Sequence, residues 1–229
     1  MHRVDNMAEL IEQNVTSAMY IECALVAANN LIGENKSNVL NGAGCYNHGV
    51  KQSLLLTLAM TLARLYDEGT QSRHFNTRDV ASIPLLARLL KQKRCRTVLM
   101  ERARLWTRGI PHFEATQVAA CARAIDRALA ANATLRRSHA ARQAVKKLKD
   151  FRDKELAHSL MEKLVEAVPT INDLFLLMDV ARNFSEDAIF AVKGLHHDLN
   201  QREEIRLKEA RAFWMPIFGA VLEDEKLRH

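Results

Sequence analysis

The sequence predicts an all-α fold, a helical bundle of long antiparallel helices. Three observations predict it. Only 8 Gly and 4 Pro punctuate 229 residues, the strong helix formers Ala, Leu, Lys, Arg and Glu dominate, and apolar residues recur at helical spacing. A hydrophobic content of 48% supplies a core without disulfide staples.

The elements follow in chain order. From Val4 to Ile32 the spacing of Leu10, Ile11, Val15, Ala18, Met19 and Val26 describes one long first helix. The stretch from Gly33 to Gly44 is rich in turn residues, lacks periodicity and reads as a loop. A second helix is expected from about Cys45 to Asp67. Its segment from Ser53 to Ala63 is apolar almost all round, which predicts burial on several sides at the centre of the core. Glu68 to Gln71 breaks it. Asn76 or Thr77 then caps a short helix through Asp79, Ile83, Leu86 and Leu90, which tolerates Pro84 only in its first turns.

A basic helix from Lys91 to Arg108 comes next, ended by Gly109-Ile110-Pro111. Helical sequence resumes at Glu114, falters near Ala131-Asn132-Ala133-Thr134, and runs to Val168, where Pro169 stops it. Thr170 or Asn172 starts a helix through Leu174, Leu177, Val180, Ala181 and Phe184. A final helix from about Asn200 carries Trp214 and is expected to be kinked or interrupted at Pro216. With no repeat or linker, one helical domain over residues 1–229 is the economical organisation, and the acidic C-terminal helices packing as a separate hairpin is its alternative.

Several function classes are disfavoured. Cys23, Cys45, Cys95 and Cys121 are widely spaced and form no CxxC pair, as expected in a reducing compartment. The N-terminal stretch reads as an amphipathic helix rather than a secretory leader, and the apolar runs Ser53 to Ala63 and Phe213 to Leu222 are too short to span a bilayer. A cytoplasmic protein with no membrane partner is the expectation. No phosphate-binding glycine loop, nucleotide fingerprint, HExxH element or GxSxG elbow occurs, and the paired ExxH elements of ferritin-like iron bundles are missing. No metal or other cofactor is expected. The doublet His196-His197 points in two directions and suits a helix end or surface better than a shared ligand site.

Charge is unevenly distributed. Residues 88 to 154 hold 18 Lys or Arg against 5 Asp or Glu, a local balance of +13, so the rest of the chain carries −7. Such asymmetry raises the prior for a polyanion partner, because neutralising phosphates releases counterions.

One segment stands out within this basic region: Arg152-Asp153-Lys154-Glu155-Leu156-Ala157-His158. Arg152 and His158 are six positions apart and lie roughly 120° apart around a helix, flanking a face. One copy makes an awkward catalytic pair, whereas two copies about a twofold axis would bring both pairs to one cleft. Cleaving RNA without a metal needs a base for the 2′-hydroxyl, donors for charge on the phosphorus centre and an acid for the leaving 5′-oxygen. His158 can shuttle protons near neutral pH, and the Arg152 fork matches phosphate geometry. Lys146, Lys147 and Lys149 just upstream, with Lys154, would guide the RNA backbone. The spacing alone favours a plainer reading, with Arg152 paired to Asp153 of a partner helix or to Glu155 one turn along and His158 an ordinary helix-boundary histidine.

The Arg, polar residue, spacer and Ala-His pattern on a late, long helix resembles the HEPN superfamily signature, in which Arg and His form an RNase site at a homodimer interface. Length and element order are similar to the AbiU-like HEPN family of abortive-infection proteins. The matching elements include Leu65-Tyr66-Asp67 ending the second helix and the Ile83 to Leu90 helix. The resemblance covers residues 1 to about 195, with the helix from residue 200 outside it. It implies Arg152 and His158 as catalytic, Asp153 as the polar residue that orients the Arg, and a further acidic or polar group from another helix, for which Asp67 and Glu22 are candidates. It also implies a homodimer acting on RNA in phage defence, with an antitoxin protein as a further candidate partner. Two other readings stay open on the residues: a noncatalytic helical dimer that binds RNA or an acidic protein, and a DNA-binding regulator using helix 91 to 108. The second lacks tight helix-turn-helix spacing.

Overall fold

The structure, a computed structural model, describes residues 1–35, 42–68, 80–107, 111–157 and 168–219, and every regular element among them is helical. In order these are α1 (His2–Glu34), a turn at Ala43–Cys45 running through a π-helical stretch (Tyr46–Val50) into α2 (Lys51–Leu65), α3 (Ile83–Leu90), α4 (Lys93–Ala103), a 3-10 turn (Pro111–Phe113), α5 (Glu114–Arg137), α6 (His139–Ala157), α7 (Ile171–Lys193) and α8 (Leu199–Phe218). They divide into two compact units: Met1–Thr16 with Ala59–Asp198, and Ser17–Leu58 with the chain from Leu199 onward.

The first unit is organised on α7. Its start is fixed by a capping box, in which the Asp173 N–H donates to the Thr170 hydroxyl at 3.2 Å and the Thr170 N–H donates to the Asp173 carboxylate at 2.8 Å. Leu177, Met178, Ala181 and Phe184 are wholly buried on it. Large apolar side chains buried this way contribute about 1.5–3 kcal/mol each. The principal neighbour of α7 is α5, whose Cys121, Ala124, Ile125 and Ala128 form one buried stripe at helical spacing. Small residues on both sides permit close approach: the Cys121 thiol donates to the Ala191 carbonyl at 3.4 Å, and Arg127 closes the rim on Asp187. The first turns of α1 join this unit through Asp5–Arg102, Glu9–Lys193 and Glu12–His197 pairs.

Lys147 on α6 reaches the same Asp173, with Nζ 2.9 Å from the carboxylate. Burial works to raise the Asp173 carboxyl pKa, but Lys147 and the Thr170 N–H and hydroxyl outweigh it and hold it below the usual carboxylate value. Replacing Asp173 by Ala is therefore expected to cost about 1–2 kcal/mol at neutral pH. Because the folded-state pKa is depressed, this contribution is complete above the unfolded pKa and fades as pH falls through the folded one. Urea titrations of both proteins from neutral pH downward should converge below the carboxylate range, and a constant difference would exclude the cap as the cause.

The second unit has an aromatic centre. Tyr46 meets Trp214 and Phe218 edge-on at 5.2 and 5.7 Å, and those two rings stack at 5.4 Å, over Ala27, Ala28 and Leu31. Both polar handles are satisfied on α1: the Trp214 N–H donates to the Ala24 carbonyl and the Tyr46 hydroxyl to that of Leu25.

Several expectations need correction. Helix α2 is not buried all round: Leu58, Ala59, Leu62 and Ala63 form a buried face, while Leu56 is 45% exposed, and α7 buries a larger share of its residues than α2 does. The part of the short helix expected at Asp79 lies outside the described residues, and residues 80–82 just before the helix are not helical. It begins at Ile83 after Ser82, because the Pro84 ring clashes with a helical carbonyl four residues earlier. Asn76 and Thr77 lie outside the described residues. The long segment after Glu114 breaks at Ser138, four residues beyond the expected weak point, where the serine leaves helical geometry and its hydroxyl accepts the Ala141 N–H. Helix α8 is not interrupted at Pro216. The helix continues past that proline to Phe218, although Pro216 has no N–H to donate to the carbonyl four residues earlier. Finally, α1 is long and apolar enough to cross a membrane by length and composition, although half of its apolar window is buried inside the protein, as for a core helix.

Candidate functional site

Helix α6 buries Ala141, Ala144 and Leu148. Beside that face, Arg142, Val145, Lys149 and Arg152 recur at i, i+3, i+7 and i+10, a stripe about 15 Å long. This stripe forms one wall of a cleft of about 570 Å³. The end of α5 supplies Asn132, Leu135 and Arg136, and the end of α2 supplies Tyr66, Asp67 and Glu68. Tyr66 is anchored below the cleft by donating its hydroxyl to the Leu177 carbonyl, and burial pushes its pKa far above the usual tyrosine value.

Arg152 is the most constrained cation there. Its Nε and Nη2 donate to Asp153 Oδ1 at 2.9 and 2.7 Å, and its Nη1 lies 3.3 Å from Asp67 Oδ2. Burial disfavours its charge, but the two carboxylates outweigh that, so its pKa rises above the ordinary arginine value. Asp153 and Asp67 thus both hold the Arg152 guanidinium, Asp67 from just past the end of α2. Glu22, the other candidate, is a buried acid of the second unit.

The expected lysines divide. Lys149 lines the cleft, Lys146 is exposed on α6, and Lys147 is held by Asp173. The side chain of Lys154 and the whole of His158 lie outside the described residues. Sequence reasoning missed Arg142, Arg136 and Asn132. The spacing of Arg142 to Lys149 and Arg152 was a usable signal, whereas Arg136 and Asn132 come from a separate helix and carry no local one. Among the described residues no ion pair holds Arg136, Arg142 or Lys149, and all three are exposed. No group of three potential metal ligands occurs among the described residues. His197 pairs with Glu12 while His196 packs edge-on against Phe190, so the doublet does point two ways.

Chemically, the cleft offers a fixed guanidinium fork, further cations along two helices and an apolar floor. That combination can take up a phosphate-bearing chain and stabilise negative charge beside Arg152.

The all-helical described residues, and an Arg-Asp pair on a late helix six positions ahead of a His in the sequence, fit the HEPN class. The AbiU2 family model, HEPN_AbiU2, matches residues 1–213, and the chain belongs to that family of HEPN-type abortive-infection proteins. The match extends into α8, past the limit near residue 195 expected from the sequence. Curated proteins and solved structures gave no match.

Proposed function

We propose that this protein is a metal-independent endoribonuclease of the HEPN type, acting as a toxin or phage-defence effector in the cytoplasm. The observation that supports it most is the Arg152 guanidinium, aimed by Asp153 and Asp67 at a cation-lined cleft in a member of the AbiU2 family. In the proposed reaction the 2′-hydroxyl of RNA loses its proton to a base and attacks the adjacent phosphorus. The P–O5′ bond breaks, a proton goes to the departing 5′-oxygen, and a 2′,3′-cyclic phosphate remains. His158 moves the protons and Arg152 stabilises the charge on the phosphorus centre. Both groups come from each of two copies in a homodimer, which brings two Arg-His pairs to one cleft.

The test is cleavage of cellular RNA with a chelator present, together with molar mass by light scattering. Arg152→Ala and His158→Ala are each expected to lose cleavage and growth arrest while remaining folded dimers. Undiminished cleavage in both, or a wild-type monomer that cleaves, sinks the reading. Loss of activity only when RNA binding is lost too would favour a noncatalytic binding dimer.

A further inference from the structure

We propose that the cleft beside Arg152 binds an unpaired stretch of RNA, seating a nucleobase on its apolar floor and the flanking phosphates on Arg136, Arg142 and Lys149. This rests on the ribonuclease reading for the nature of the ligand and adds to it a subsite and a preference for unpaired RNA.

Shape is the first support. A cleft of about 570 Å³ has the size of a small-ligand site and takes a splayed nucleotide. Double-stranded RNA is instead recognised by shape across a wide, shallow groove, over a surface spanning about 16 base pairs. Unstacked bases are what concave, partly apolar sites receive.

The floor and the rim differ in chemistry. Leu148 is buried beneath the cleft, and the half-buried Leu135 and Val145 face each other's helices across it. The cations stand around this apolar patch. Asn132, also half-buried, presents an amide with both donors and an acceptor to the edge of a seated base.

The cations also divide by their commitments. Arg152 is engaged by Asp67 and Asp153, which fixes its position. Arg142 and Lys149 are two helical turns apart, about 10 Å along α6, and Arg136 stands on α5. These three are solvated and can exchange water and counterions for phosphates. Positive charge on two walls around an apolar floor complements a chain that is anionic along its backbone and apolar on its base faces. An acidic peptide supplies the charge without those faces.

The test uses the full-length His158→Ala protein, a fluorescein-labelled RNA designed to stay unpaired, the same RNA annealed to its complement, and poly-glutamate as an acidic competitor. Anisotropy is followed over a salt series. Unpaired RNA is expected to bind about tenfold or more tightly than the duplex, and poly-glutamate to compete weakly. Combining Arg142→Ala with Lys149→Ala should reduce the slope of log affinity against log salt by about 1.4, the value for two lost contacts to a single strand. Val145→Trp, which fills the floor, should weaken binding about tenfold while leaving that slope in place, since no phosphate contact is lost. Arg142→Gln with Lys149→Gln replaces the alanine pair if its thermal melt falls. Equal or tighter duplex binding, an unchanged slope, or displacement of RNA by poly-glutamate overturns the proposal. Failure of the ribonuclease reading registers separately, as wild-type protein that leaves RNA uncut or as cleavage undiminished in both His158→Ala and Arg152→Ala.

Discussion

Replacing Arg152 by Lys is expected to lower the single-turnover rate of RNA cleavage by about a hundredfold or more, although the positive charge is kept. The reason lies in how the guanidinium is held. Three of its atoms are already engaged, two by one Asp153 oxygen and one by Asp67, so the plane of the fork is set before any phosphate arrives. An ammonium on a flexible stem is a point charge without such a plane, and it cannot reproduce that orientation while also meeting a phosphate. Loss of one preorganised donor to a developing oxyanion costs about 2.7–4 kcal/mol, which corresponds to the stated rate loss. Stability should hardly move, because the side chain is 22% exposed and its partly solvated ion pairs are worth about 0–1 kcal/mol. A near-wild-type rate in Arg152→Lys would reduce Arg152 to an electrostatic attractor. A large loss of stability would make it a structural residue.

The fold class was legible in the sequence because its evidence is local. Few glycines and prolines, apolar periodicity and a capping residue such as Thr170 each act within one helix, and α7 begins where Thr170 predicts. Burial was less legible. The run from Ser53 to Ala63 is apolar throughout, but which of its faces is covered depends on neighbours remote in sequence, so Leu56 ends up exposed. Element ends set by a single residue's backbone geometry, such as the break at Ser138, were missed for a related reason: a serine is tolerated inside a helix, and its capping role follows from the turn it makes.

The site shows the same division. Arg152 and Asp153 stand together because they are adjacent in the chain, and that contact was readable. Asp67 could only be named as a candidate, since its approach to Arg152 joins the end of α2 to α6 across 85 positions of sequence. The α5 residues of the cleft, Asn132 and Arg136, had no signal for the same reason. A linear motif thus locates one wall of the cleft, and packing determines what stands opposite it.

Packing also determines where a glycine tolerates an added side chain. Gly194→Ala is expected to destabilise the protein by about 2–5 kcal/mol, the sum of two effects. Gly194 ends α7 at φ 71°, where its N–H closes the last turn on the Phe190 carbonyl. A side chain in this left-handed conformation costs about 1–2 kcal/mol. An added Cβ would also lie 2.7 Å from two carbons of the Trp106 ring. That ring packs edge-on against Phe190 with centroids 5.3 Å apart, so it cannot withdraw without disturbing the α7 core, and forced overpacking of this kind costs about 1–3 kcal/mol. Gly33 is the internal control: it lies within α1, nothing stands within 4 Å of its added Cβ, and Gly33→Ala should stabilise by about 0.5–1 kcal/mol. Urea denaturation of the two variants beside the parent measures the difference. If Gly194→Ala shifts the midpoint no further downward than Gly33→Ala, then Trp106 yields freely and the end of α7 is looser than its contacts with Trp106 and Phe190 require.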